Sequence, residues 1–324
     1  MNAKTHYSGR RQFLANTASA IGALSFARLA SAQENKPVSI SKFGLKYAPH
    51  PGMFKEHAGE DVIAQIRFAA AQGFTAWEDN GMPARSTEMQ EKIGATLKEL
   101  GMGMGVFVGY GNFDEPIFTR GNHPKRNEVL DEIRKSVDIC KRTGAKCFTV
   151  VPGSVDQQHV SNNWNLYGGP RLTEEMQTAN AIDLLRQCAE ILEPHGIIMV
   201  LEPLNWKTDH GGVFLKSAQQ GYALCRAVNS PSCKVLYDVY HEQITAGNII
   251  NTMDLCWSEI AYIQSGDNPG RQEPGTGEMN YKNIFRHLAT KSKDLIIGME
   301  HGNSKPGKDG EQAVIDAYRA ADIF

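Results

Sequence analysis

Apolar residues along this chain fall into two alternating kinds of run. Short β-branched or apolar stretches cover residues 43–48, 75–79, 104–108, 147–151, 197–201, 234–238, 260–264 and 295–300. Longer segments with apolar positions at helical spacing follow them, over residues 60–72, 87–100, 125–143, 173–193, 217–228, 249–257, 281–290 and 311–321. The short runs predict strands and the long amphipathic ones predict helices. Eight strands, each followed by a helix, is the count of an α/β fold closed as a (β/α)8 TIM barrel. Gly73, Gly101, Gly144 and Gly196 stand between a helix and the next strand, where a left-handed helix end is needed. A doubly wound open sheet, the competing architecture, carries a Gly-rich phosphate-binding turn after its first strand. The first strand here leads into Ala48-Pro49-His50-Pro51-Gly52, which is no such turn.

Residues 1–32 fall outside the alternation. Arg10-Arg11-Gln12-Phe13-Leu14 is followed by a mildly apolar stretch over 18–29 and then Ala30-Ser31-Ala32, a small-x-small cleavage pattern. That order predicts a twin-arginine export signal over 1–32, a mature chain starting at Gln33, and a periplasmic or otherwise exported location. The apolar stretch is shorter than the roughly 20 residues that span a bilayer, so stable membrane insertion is not expected. Residues 33–324 then read as one domain, close to the length of about 250 typical of such barrels.

The 34 basic and 36 acidic residues give a formal net charge of −2, which offers no single-sign field to a nucleic acid. A small-molecule partner is the default, and the sequence leaves a homo-oligomer open. Cys140, Cys147, Cys188, Cys225, Cys233 and Cys256 include no C-x-x-C pair, which argues against a structural zinc site. Cys225 and Cys233 are the pair best spaced for a disulfide. Buried free thiols are the preferred reading, because the twin-arginine route carries proteins already folded in a reducing cytoplasm.

A barrel of this kind builds its active site where the strands end, so the last polar residue of each strand is the one to inspect. The fifth to eighth strands end in Glu202, Asp238, Gln264 and Glu300. Three carboxylates converging on an apolar barrel mouth raise one another's pKa unless something positive sits among them. One divalent cation answers that need, and an all-oxygen set favours a hard ion such as Mg2+ or Mn2+.

Leu201-Glu202-Pro203-Leu204-Asn205, Asp238-Val239-Tyr240-His241, Gln264 through Arg271, Glu273-Pro274-Gly275-Thr276-Gly277-Glu278 and Glu300 together carry a resemblance. From about Phe43 onward the chain resembles the hydroxypyruvate isomerase branch of the xylose isomerase-like barrel superfamily. The resemblance implies that Glu202, Asp238, Gln264 and Glu300 hold the metal, with Glu202 and Glu300 as the catalytic pair facing each other across the substrate. Gln264 stands where many epimerase relatives have His, which points to this branch. It further implies that His241 and Arg271 bind substrate oxygens. The chemistry expected is proton transfer through an enediolate, at one carbon for epimerisation or between neighbours for isomerisation.

Two stretches depart from the family pattern, Trp206-Lys207-Thr208-Asp209-His210-Gly211-Gly212 after Asn205 and Trp77-Glu78-Asp79-Asn80 at the end of the second strand. Both lie at the mouth and bear on substrate choice. Trp77, Trp164, Tyr167 and Trp206 are candidates for an aromatic platform under a sugar ring. No Gly-rich helix start grips a phosphate, which favours an unphosphorylated substrate. Export makes a metal-dependent lyase or hydrolase of oxidised (3-keto) glycosides the alternative enzyme, and a non-catalytic periplasmic sugar-binding protein the alternative from another class.

Overall fold

The structure is a computed structural model that describes residues 41–156 and 171–324. The export signal over 1–32 and the aromatic candidates Trp164 and Tyr167 lie outside the described residues. Strands β1 (Lys46–Ala48), β2 (Ala76–Trp77), β3 (Gly103–Met104), β4 (Val108–Gly111), β5 (Cys147–Val151), β6 (Ile198–Leu201), β7 (Cys233–Asp238), β8 (Ile260–Gln264) and β9 (Ile296–Gly298) alternate with helices. Seven of them form a curled parallel sheet in the order β1-β9-β8-β7-β6-β5-β4, and β2 pairs in parallel with β3. Single backbone hydrogen bonds set that small pair between β1 and β4. Glu78 N–H donates to Pro49 O at 2.9 Å, Asp79 N–H to Val106 O at 3.2 Å, and Thr149 N–H to Phe107 O at 2.8 Å. β3 and β4 are thus two pieces of the single third strand read from the sequence, and the barrel order is preserved.

The main helices are α2 (Val62–Ala71), α3 (Thr87–Leu100), α4 (Arg126–Thr143), α5 (Glu174–Leu192), α6 (Ala218–Val228), α8 (Ile249–Cys256), α9 (Tyr281–Lys291) and α10 (Gly307–Ala321), with α1 (Lys55–Ala58) and α7 (Val239–Thr245) as short additions. Local chemistry sets their limits. Ser86, Thr173 and Ser217 accept the backbone N–H of Met89, Met176 and Gln220 and so start α3, α5 and α6. Gly101 and Gly144 close α3 and α4 at positive φ, 64° and 80°, where a Cβ would be strained. The two short helices escape the sequence reading because one or two turns carry too little apolar periodicity.

Period-two alternation along the strands sorts side chains between two cores. Met199, Leu201, Val235, Tyr237, Ile263, Ile297 and Met299 pack outward with the helices. Their neighbours Ile198, Val200, Leu236, Tyr262 and Ile296 join Val106 and Cys147 in a separate cluster that fills the barrel interior. All six cysteines are buried free thiols, and the Cys225 and Cys233 sulfurs stand 3.8 Å apart, paired by a thiol hydrogen bond and not by a disulfide. Among the described residues no helix is long and apolar enough to cross a membrane.

Candidate active site

The apolar filling of the barrel fixes what lies above it. Two positions on from Val200, Leu236 and Tyr262 the same inward phase brings Glu202, Asp238 and Gln264 into one layer. On the eighth strand the phase runs Ile296, Gly298, Glu300. Asp238 and Gln264 are register partners across β7 and β8. The structure therefore gathers the four ligand candidates, and it brings His241 and Arg271 to them. His241 Nε2 lies 3.5 Å from Asp238 Oδ2 and 3.8 Å from Glu202 Oε1. Arg271 Nη2 donates to Glu300 Oε2 at 2.8 Å and to Asp238 Oδ2 at 3.2 Å, with its guanidinium 4.7 Å from the Tyr240 ring centre.

The D-x-x-H spacing has a local cause. Asp238 ends β7 and caps α7, its Oδ1 accepting Tyr240 N–H at 2.8 Å. His241 is then on the first turn of α7, three residues on, on the side of Oδ2, the oxygen that Arg271 also reaches. Arg271 sits at φ 49°, a left-handed backbone that is rare for a side-chain-bearing residue. A tight loop holds it there: Arg271 N–H donates to Asp267 O, and the Asp267 carboxylate accepts the backbone N–H of Asn268, Gly275 and Met279. The Glu-Pro-Gly motif finishes this brace, because Glu273 accepts from the backbone N–H and hydroxyl of Ser304 in the loop after β9.

A fourth carboxylate, unassigned in the sequence reading, stands in the same layer. Glu78 follows outward-facing Trp77 on the second strand and is 1 % exposed. It accepts from the Tyr262 hydroxyl at 2.7 Å and from Gln264 Nε2 at 3.0 Å. With its nitrogen so engaged, Gln264 keeps Oε1 as a buried acceptor with no hydrogen-bond partner among the described residues. The strand pattern contains the signal for Glu78, since an inward position next to an outward Trp belongs to the mouth. Trp77 itself is fully buried in the outer core, which removes it from the aromatic platform, whereas Trp206 remains exposed in the loop after β6.

Electrostatically the layer is overloaded. Burial first, and then Glu300, push Glu78 up to about 8. Burial, Glu300 and Asp238 push Glu202 well above the usual carboxylate range. Glu300 rises to about 7 by burial, although Arg271 opposes the shift. Burial disfavours charge on Arg271, yet Glu300, Asp238 and Glu202 outweigh it and hold the guanidinium protonated. Burial lowers His241 to about 4, so its ring is neutral near pH 7. Among the described residues, one built-in cation, Arg271, thus stands in a layer of four carboxylates. Glu300 is the most accessible of them, its side chain 28 % exposed, and Asn80 Nδ2 donates to its Oε1 at 3.1 Å. Glu202 has His241 Nε2 as its near neighbour at 3.8 Å, beyond hydrogen-bond distance, which leaves its carboxylate the least committed of the set.

Glu202, Asp238 and His241 offer three atoms within 4.8 Å of one another, a spacing that suits a metal ion. The oxygen of Gln264 fits better than the ring of His241 as a further ligand: it is an orphaned acceptor beside the same carboxylates.

Residues 66–321 match the family described as xylose isomerase-like TIM barrel. Over 149 residues the chain is 33 % identical to hydroxypyruvate isomerase of Escherichia coli (strain K12), a stretch covering 45 % of this chain and 56 % of that protein. The chain thus matches only about half the length of that relative. Among solved structures, 3-keto-D-glucoside 4-epimerase YcjR from E. coli superposes with a TM-score of 0.66 at 17 % identity, covering 86 % of this chain and 98 % of that one. The IOLI protein, solved with a bound zinc atom, superposes with a TM-score of 0.63 at 15 % identity over 86 % of this chain and 96 % of that one. At such identities these two likenesses speak to the fold.

Proposed function

The chain belongs to the xylose isomerase-like TIM-barrel family, and from that premise we propose that it is a metal-dependent isomerase or epimerase of a small hydroxy-carbonyl compound or sugar, closest in activity to hydroxypyruvate isomerase. The observation that carries this reading is the layer of four carboxylates that, among the described residues, holds an orphaned amide oxygen, Gln264 Oε1, and one built-in cation, Arg271. Glu202, Asp238, Gln264 and Glu300 would hold the ion. Their all-oxygen chemistry favours Mg2+ or Mn2+, and the zinc in the IOLI protein is consistent with a divalent site in this fold. When bound, the ion would polarise the substrate's carbonyl and hydroxyl oxygens and so acidify the C–H between them.

The remaining work falls to the side chains. Glu202 and Glu300 take and return the proton: Glu202 is the carboxylate least committed to hydrogen bonds and Glu300 the most accessible of the set. Arg271 and His241 donate to substrate oxygens on which negative charge grows. The barrel filling of Val200, Leu236 and Tyr262 closes the floor against water. We read residues 1–32 as an export signal and 33–324 as the mature catalytic domain, working outside the cytoplasm on a small molecule.

The test is solvent exchange. Wild type incubated in D2O with Mn2+ incorporates deuterium at the substrate carbon, and Glu202→Gln and Glu300→Gln each abolish it. Undiminished exchange in either variant removes that residue from the mechanism, and binding without exchange on any candidate sugar leaves a sugar-binding protein. Product analysis with a 3-keto-glycoside separates isomerisation from the elimination reaction that the same C–H acidification permits.

A further inference from the structure

We propose that Asn205 is a positioning residue that fixes the tautomer of His241, so that the ring presents an N–H to the carboxylate layer and acts as a hydrogen-bond donor to substrate, outside the metal's ligand set. The proposal rests on the functional reading above for the word substrate, and on hydrogen-bond geometry alone for the tautomer.

Asn205 lies three residues beyond Glu202 and is fully buried. Its Oδ1 faces three groups that donate: Thr208 N–H at 3.1 Å, Thr208 hydroxyl at 2.9 Å and Asp209 N–H at 3.2 Å. Two of these are backbone N–H groups with no accepting capacity, so the amide can be placed only one way round. The nitrogen must then point the other way, where Nδ2 donates to Asp209 Oδ2 at 2.7 Å and meets His241 Nδ1 at 2.7 Å. Asn205 backbone N–H approaches the same ring nitrogen at 3.4 Å. An amide nitrogen cannot accept a hydrogen bond, so His241 Nδ1 carries a lone pair. A neutral ring with its lone pair on Nδ1 carries its proton on Nε2. That N–H points at Asp238 Oδ2 and Glu202 Oε1.

Two consequences follow from chemistry. A protonated ring nitrogen has no lone pair for a metal, so His241 stands aside from a site its neighbours could otherwise build with it. A neutral imidazole N–H is also a donor that stays in place as charge develops on a substrate oxygen. The brace continues outward, since the Tyr240 hydroxyl bonds Asp209 and the Tyr240 ring lies under Arg271. Both substrate-facing donors are thus aimed through one connected set of side chains.

The experiment reads the tautomer directly by 15N NMR of the histidine-labelled full chain at pH 7.5 with Mg2+ present, with the His241 signals assigned by comparison with His241→Gln. In wild type His241 is protonated on Nε2. Asn205→Asp keeps the oxygen that Thr208 and Asp209 need and replaces the donor by an acceptor, which moves the ring proton to Nδ1. Because Asn205→Asp sets two carboxylates side by side, the exchanged pair Asn205→Asp with Asp209→Asn keeps a donor and an acceptor between these positions and serves as the second variant; Asp209→Asn alone retains the wild-type tautomer. In both variants that contain the Asn205→Asp change the exposed Nε2 lone pair adds a nitrogen ligand, and calorimetric binding of Zn2+ gains on the order of tenfold over Mg2+ relative to wild type. A His241 proton on Nδ1 in wild type, or an unchanged tautomer in both variants, overturns the proposal. Absence of deuterium exchange in wild type, with the tautomers as stated, would count against the isomerase reading and leave the role of Asn205 standing.

Discussion

Glu78 owes its place to a glycine. A Cβ built on Gly298 would collide with the Glu78 carboxylate and crowd Gln264 Cγ, so the eighth strand must be bare where the second strand sends its side chain across. Gly298→Ala should therefore lower stability by about 1–3 kcal/mol, the usual cost of overpacking, measured as a fall in the thermal midpoint of the metal-treated chain. A midpoint equal to wild type would mean that Glu78 does not fill that space. Glu78→Gln makes a sharper test. Tyr262 and Gln264 both donate to Glu78, and a glutamine offers one acceptor atom where the carboxylate offers two. The Gln264 amide then turns over, setting its nitrogen where Oε1 stood, and Mn2+ affinity by calorimetry should fall about 10–100-fold with little change in fold. This is also where reading from sequence stops short. Glu202, Asp238, Gln264 and Glu300 are legible because each is the last polar residue of an apolar run. Glu78 follows a strand of two residues and is flanked by Asp79 and Asn80, so its inward phase is visible only once Trp77 is seen to face outward. Asn205 is invisible for a different reason, as nothing in a loop sequence says which ring nitrogen an amide will meet.

At the level of elements, strand-to-helix junctions do two jobs at once. Asp238 is at the same time a proposed ligand, the last residue of β7 and the cap of α7. The two jobs separate by substitution. Asn caps a helix about as well as Asp but brings no charge, so Asp238→Asn should keep the thermal midpoint in EDTA close to wild type while losing Mn2+ binding. Asp238→Ala loses both and should cost a further 0.5–2 kcal/mol or so from the uncapped N-terminus. Equal midpoints for the two variants would show that the cap carries no stability here. The long helices and buried strands were legible because capping residues, closing glycines and apolar period agree with one another. α7 was hidden because its seven residues follow a strand without a break, and the cap that starts it reads in sequence as a strand end. The apolar pattern of the third strand is one run, whereas the backbone pairs first with β2 and then, after an interruption, with β5. Gly105 lies in that interruption, where a Cβ would strike the Tyr262 hydroxyl that serves Glu78.

Across the whole molecule, the buried titratable groups set opposing pH dependences that a metal ion should unbalance. Glu78 and Glu300 have folded-state pKa values of about 8 and about 7, Glu242 is held at about 7 by burial, and Glu202 is raised as well. Unfolded carboxylates titrate near 4.3, so between roughly pH 4 and 8 the folded chain binds more protons than the unfolded one, and these groups lose stability as pH rises through that window. His241 and His301 act in the other direction. Burial lowers them to about 4 and about 3, below the unfolded value of about 6.5, so their contribution is present above that value and is lost as pH falls from it. For the EDTA-treated chain the thermal midpoint should therefore pass through a maximum at mildly acidic pH and decline toward pH 8.5. Saturating Mn2+ binds the ionised carboxylates and displaces their protons, so the midpoint gain on adding the ion should be small at pH 5 and grow steadily to pH 8.5, with proton release measurable by calorimetry in buffers of different ionisation enthalpy. A pH-independent gain would mean that the ion binds without discharging these carboxylates, and would move the metal site away from the strand ends of the barrel.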